Sequence, residues 1–459
     1  MALASFTNAK SVVALSNSPV FHHQYASITS AISNLAKTKH ELKRIRRLFK
    51  EHWLKYFLIC SVNHFQTDVV NIFRPYSPSL RDRQYRNKAN NVIFGNKPLG
   101  IGYGLSIVNL ADFASSWSLP FELQRVKSNE DEIEVGAAQI RAICESEKFK
   151  DALNINAADS SYGVAKYISR VNDIENLVNV LRIRHGNKIY ESEVRESLGA
   201  PQIYGEKYYL IEETGEKTYN KKEKSYVVKQ TSIYDKKAEE SCEIEKVTRR
   251  GKELRIELKR WKGMKMRTKQ GNSMKGIEFD VVGIRVYEKA TNKRVFNHDV
   301  FLAIVGEERA RLSLEECAEE FYHRFDLEVT NRFMKQNLFL EGYQTPDVQH
   351  VDNWNLLVQE AMWLLWAGST ETENVCEKWQ KYSEPKEEKG GRKTASQTRK
   401  GLERLILTFE KERFLPKKCS AFRGLGRKKG EKQELRKQYQ VVKKWHPEVE
   451  ITRASRQRE

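Results

Sequence analysis

Along the chain, the spacing of apolar positions changes in a way that separates helical from extended segments. In the first fifty residues Val12, Val13, Leu15, Ile28, Ile32 and Leu35 recur at helical intervals, and a basic stretch from Lys37 to Lys50 follows, which predicts a small helical head. Residues 56–62 form a dense apolar run, and residues 99–110 mix Ile, Val and Leu with Gly and Ser; both read as strands, as does 115–126. Residues 135–149 carry the stripe Ala138, Ile140, Ile143 and Cys144 and predict a helix. A short strand over 152–158 ends at Asp159, and another helix and a strand over 177–183 come next. Between about Ile189 and Phe301 the alternation breaks. Lys, Glu, Thr and Tyr are abundant there, with strand-like pieces at 207–212, 225–234, 254–261 and 277–287. Beyond it, 299–305 reads as a strand and 313–339 as a long helix opened by a capping box of Ser313 and Glu316. Residues 351–367 are apolar almost all round and predict a buried helix. Residues 384–400 read as a polar linker, and the rest as a strongly basic, solvated tail with one amphipathic piece at 402–409.

Three strands, helix, strand, helix, strand is the element order of the RNase H-like fold. The expected class is therefore α/β: a mixed five-stranded sheet flanked by helices and interrupted by a β-rich insertion. The expected division is a helical head (1–52), a first core part (53–188), the insertion (189–300), a second core part holding the long helix and a packing helix (301–383), and a basic linker and tail (384–459).

Composition narrows the partners. A chain of 459 residues with 39% hydrophobic positions can build real cores. Its formal charge of +19 and pI near 9.4 attract polyanions, of which nucleic acid is the commonest large one. No run of about 18 apolar residues and no leader pattern occurs, so a soluble, cytoplasmic protein without a membrane partner is expected. Six scattered cysteines without a C-x-x-C pair argue against a disulfide framework and a zinc site, and Gly95 and Gly100 to Gly104 lack the GK[ST] of a phosphate loop.

The candidate chemistry lies in carboxylates. Phosphodiester cleavage and transfer can be driven by two metal ions about 3.5–4 Å apart that activate the attacking oxygen and stabilise the leaving one. Mg²⁺ takes hard oxygen ligands and keeps several waters, so a few acidic side chains on rigid elements suffice. Asp68 follows the first predicted strand and Asp159 ends the fourth. On the long helix, at about 100° per residue with Arg324 as zero, Lys335 falls near 20°, Glu328 near 40° and Phe321 near 60°, whereas Asp326 falls near 200°. An acid flanked by Arg and Lys on one face suits a metal ligand beside a phosphate backbone. The same spacing also fits a solvated face with an i, i+4 ion pair, and an Asp at a strand end is also a common turn residue.

The stretch FYHRFDLEVTNRFMK carries Arg324, Glu328 and Lys335 at the spacing of the Y-R-E-K signature, with Phe321 at the aromatic position and Tyr322 one place later. HFQTDVVNIFRPYSPSLRDR resembles the first-Asp region and INAADSSYG the second-Asp region of the same family, and QTPDVQHVDNWNLLVQEAMWLLW resembles the segment after the Glu helix in cyanobacterial members. Over residues 11–368 the chain thus resembles the DDE transposases of bacterial insertion sequences. The resemblance implies Asp68, Asp159 and Glu328 as catalytic ligands of two Mg²⁺ or Mn²⁺ ions. It also implies cut-and-paste cleavage and strand transfer on double-stranded DNA, at the transposon's inverted-repeat ends and at the target, by a homodimer in the synaptic complex. Phe321, Tyr322, Arg324 and Lys335 are the implied DNA contacts, with Trp261 as a candidate base stacker or, alternatively, a half-buried strand aromatic. A non-catalytic or domesticated DNA-binding descendant and another RNase H-like nuclease are the alternative functions.

Overall fold

A computed structural model describes the chain apart from residues 22–24, 58, 76, 88–98, 116, 193–203, 222–223, 249–250, 268–273, 275, 375–390, 410–436, 443–452 and 455–459. The protein is mixed α/β, with a large mixed sheet and eight α-helices among the described residues. In chain order these are α1 (Ala2–Ser5), α2 (Tyr25–Asn34), α3 (Lys39–Trp53), β1 (Val62–Phe73), β2 (Gln84–Asn87), β3 (Leu99–Asp112), β4 (Trp117–Val126), α4 (Glu132–Cys144), β5 (Leu153–Ala158), α5 (Ala165–Val171) and β6 (Leu177–Ile183). Next come β7 (Lys188–Glu191), β8 (Lys207–Tyr209), β9 (Gly215–Lys221), β10 (Lys224–Gln230), β11 (Glu240–Val247), β12 (Glu253–Lys265), β13 (Phe279–Glu288), β14 (Lys293–Arg294) and β15 (Val300–Val305). Helices α6 (Leu314–Asn337), α7 (Val348–Gly368) and α8 (Ala395–Phe409) follow. The chain divides into one unit of Met1–Leu58, Val69–Glu132 and Asp326–Glu459 and a second of Ile59–Asp68 and Ile133–Phe325.

In the first unit β3 pairs antiparallel with β2 and β4 and also lies beside the second half of β1, where the Arg74 amide donates to Ile101 O at 2.7 Å. Helix α7 is buried nearly all round, as its sequence requires. Trp363 Nε1 and Gln359 Nε2 both donate to Pro120 O of β4 at 3.0 Å, and Asn353 Nδ2 donates to Ile32 O and Ala36 O at the end of α2. Helix α3 is closed at its start by the capping box of Thr38 and Glu41. Helix α8 begins inside the stretch expected to be a linker, because Thr398, Arg399 and Leu402 are buried and Arg399 donates to Phe6 O just beyond α1. Part of the expected free tail is also docked: the amide of Tyr439 donates to Pro78 O and that of Val442 to Arg83 O.

In the second unit the first half of β1 runs parallel to β5, and β5 parallel to β6. The sheet continues antiparallel through β15, β13 and β12. Strands of the 189–300 segment therefore extend the sheet of β6 by hydrogen bonding instead of closing on themselves, while β9 and β10 form a separate hairpin. The core beneath it joins Ile155, Val180, Leu258, Val282, Leu302 and Phe321.

The first strand departs from the sequence expectation. The apolar run at 56–62 is not a strand: Tyr56 and Phe57 close the end of α3 with amides donating to Trp53 O, and the strand begins at Val62. Hydropathy hides β1 because Asn63, Gln66 and Thr67 are among its buried side chains. Asp68 consequently lies inside a strand, not after one.

Candidate functional site

Strand register brings two of the predicted carboxylates together. The parallel pairing of β1 and β5 runs from Val62 opposite Leu153 to Thr67 opposite Ala158, so Asp68 and Asp159 occupy the next neighbouring positions, on strands about 4.8 Å apart. Both are half-buried. Asp159 follows β5 in a tight turn in which Oδ1 accepts from the Ser161 amide at 2.8 Å and the Ser161 hydroxyl at 2.5 Å.

A buried polar chain fixes that register. Thr67 Oγ1 donates to Asn156 Oδ1 at 2.7 Å, and Asn156 Nδ2 donates to Asn179 Oδ1 at 2.9 Å and to the Tyr167 hydroxyl at 3.0 Å. Thr67, Asn156 and Asn179 are fully buried on three adjacent strands. A one-residue slip would turn these groups to the opposite face and strand them without partners, so the chain selects the register that aligns Asp68 with Asp159.

The face of β1 that carries Asp68 is tied to the long helix within the second unit. His64 Nδ1 pairs with Glu320 Oε1 at 2.5 Å, and Gln66 Nε2 donates to His323 O at 2.8 Å. Helix α6 opens with the predicted capping box: the Ser313 amide meets Glu316 Oε2 at 2.7 Å, and the Glu316 amide meets Ser313 Oγ at 3.1 Å. Glu328 is exposed on the second half of the same helix, which belongs to the first unit. There the Lys335 ammonium donates to Asn71 O at 2.8 Å and pairs with Glu341 at 3.0 Å.

The remaining predicted DNA contacts fare differently. Trp261 is no stacker: it is 0% exposed, its Nε1 donates to Lys236 O at 3.0 Å, and its ring meets Tyr234 edge-on, so no base can reach it. Phe321 is likewise part of the core of the second unit, and its ring is not presented. Arg324 is 4% exposed with its guanidinium 4.6 Å from the Phe325 ring, a packed cation and not an open phosphate clamp. Tyr322 is half-buried under the Lys246 ammonium at 5.0 Å, and burial pushes its phenol up to about 12. The exposed aromatic of α6 is Phe325, at 42%. It stands at about 100° on the helical wheel, against about 40° for Glu328.

A second group was not anticipated. Among the described residues, His185, Glu212 and His298 hold their potential metal-ligand atoms within 4.8 Å of one another. They are far apart in sequence, and no motif spacing announces them. Four of the six cysteines are described, all as free thiols, with Cys144 and Cys317 buried; Cys376 and Cys419 lie outside the described residues. No helix of the described residues is long and apolar enough to cross a membrane. No family model and no curated protein matches this sequence.

Proposed function

We propose that this protein is a DDE-type DNA transposase with an RNase H-like core. The observation that carries the reading is that Asp68 and Asp159 each come directly after the last paired residues, Thr67 and Ala158, of the parallel β1–β5 ladder. Strand pairing supports the fold assignment: in the first unit the third long strand pairs with the second and the second lies beside the first, and in the second unit the first pairs with the fourth and the fourth with the fifth. That is the 3-2-1-4-5 neighbour relation expected of the RNase H-like sheet.

In this reading Asp68 and Asp159 hold Mg²⁺ or Mn²⁺, whose hard-oxygen preference the two carboxylates meet. Glu328 is the third carboxylate, assigned from its signature spacing on α6. The ions activate a water to nick the transposon end and then the freed 3′-hydroxyl for strand transfer. The net charge of +19 supplies sequence-independent attraction for inverted-repeat ends and target, taken up by a homodimer in the synaptic complex. Lys335 remains a DNA contact, and Phe325, exposed on α6, takes the stacking role in place of the buried Trp261.

The test is strand nicking of duplex DNA taken from the two flanks of the gene, with Mg²⁺ or Mn²⁺. Asp68→Ala, Asp159→Ala and Glu328→Ala are each expected to abolish nicking while DNA binding persists. Full activity in all three variants refutes the assignment.

A further inference from the structure

The three-residue group of the second unit has the chemistry of a metal site distinct from the paired aspartates. His185 occupies the turn between β6 and β7, which is pinned by the Gly186 amide donating to Leu210 O at 2.9 Å. Glu212 lies just past β8 and accepts from the Asp299 amide through Oε1 at 2.8 Å. His298 enters β15. The Gly186–Leu210 bond ties the His185 turn to the end of β8, and the Asp299 amide holds the Glu212 carboxylate beside the residue that follows His298.

His185 Nε2 stands 3.0 Å from Glu212 Oε2, and His298 Nδ1 stands 3.6 Å from Glu212 Oε1. Around a tetrahedral ion with metal–nitrogen bonds of about 2.0–2.1 Å, neighbouring ligand atoms lie about 3.3 Å apart, close to the 3.0 Å between His185 Nε2 and Glu212 Oε2, and one ligand atom from each of the three residues lies within 4.8 Å of the others. The two imidazoles stack with centroids 4.0 Å apart, which keeps both near one carboxylate, and His298 is exposed enough to turn onto an ion. Arg294 approaches Glu212 Oε1 at 3.5 Å, yet it also pairs with Asp299, as does Arg285 at 2.9 Å. The ion's place is accordingly the Oε2 side.

We propose that His185, Glu212 and His298 bind a single transition-metal cation of the zinc class, which clamps the β6–β7 turn to the residues after β8 and the entry of β15. Two imidazoles with one carboxylate favour Zn²⁺, Ni²⁺ or Cu²⁺ over Mg²⁺, which the paired aspartates suit. Three protein ligands leave a fourth position to water.

The experiment is calorimetric titration of Zn²⁺ into chelator-stripped full-length protein free of any histidine tag, repeated with Co²⁺ followed by visible absorption. One saturable site is expected in the wild type, lost in His185→Ala and lost separately in His298→Ala, but kept in Asp68→Ala and Asp159→Ala. Because both histidines reach solvent, the metal-free melting temperature of the two variants should match the wild type, which separates ligand loss from misfolding. Zn²⁺ binding unchanged in either histidine variant, absent from the wild type, or abolished by Asp159→Ala overturns the proposal.

Discussion

Replacing Asn156 by Ala tests whether the buried polar chain sets the register of the candidate site. The amide links three partners: the Thr67 hydroxyl at 2.7 Å, Asn179 Oδ1 at 2.9 Å and the Tyr167 hydroxyl at 3.0 Å. After truncation Asn179 Oδ1 still accepts from Tyr167 at 3.3 Å, whereas the Thr67 hydroxyl loses its acceptor and Tyr167 loses a donor. The Thr67 hydroxyl left unpaired costs about 1–3 kcal/mol, and the two bonds lost to Asn179 and Tyr167, which keep each other as partners, add about 0.5–1.5 kcal/mol each, for a total of about 3 kcal/mol. For a unit of 150–250 residues each kcal/mol shifts Tm by about 2–4 °C, which places the second unit's transition about 6–12 °C lower. Thr67→Val removes one bond of the chain and should cost about 1–2 kcal/mol. Calorimetry of the full chain measures both, and nicking assayed below the transition should fall in Asn156→Ala because the aspartates lose their alignment. A Tm within about 2 °C of wild type, less than 1 kcal/mol by the same scaling, would falsify the claim that this chain holds the register.

Trp261→Ala empties a fully buried site and should destabilise the second unit by about 3–5 kcal/mol, while DNA affinity of the folded fraction stays at the wild-type value; a selective loss of DNA binding would contradict its core role. Phe325→Ala removes a half-exposed ring that covers the Arg324 guanidinium, so unfolding should change by about 1 kcal/mol while nicking or end binding of the folded protein weakens, and unaltered kinetics and affinity would remove Phe325 from the DNA surface. Burial raises the Glu360 carboxyl to about 7, against the opposing hydrogen bond from Trp53 Nε1 at 2.7 Å. The folded state therefore holds a proton that the unfolded state releases, and the stability this confers is full below the ordinary Glu range and lost as pH rises toward 7. The difference in urea midpoint between wild type and Glu360→Gln should widen across that window in favour of Gln, and a flat difference contradicts it.

Hydrophobic periodicity by itself determined most of the scaffold: β3, β4, β5, β6, β12, β13 and β15 stand where apolar runs predicted strands, α7 is buried as its all-round apolar surface demands, and Ser313 with Glu316 starts α6. These signals are local, because side-chain period and capping chemistry act within a few residues. Strand β1 escaped because it buries Asn63, Gln66 and Thr67, whose worth depends on partners distant in sequence. Only the tertiary structure decided that Thr67 and Ala158, the residues just before Asp68 and Asp159, pair in parallel, and that Trp261, Phe321 and Arg324 are packed and not presented to a ligand. Tertiary structure alone also gathered His185, Glu212 and His298. Exposure and pairing across separate segments depend on the closed fold, where burial makes each polar group find its complement, and no period along the chain records which complement that is.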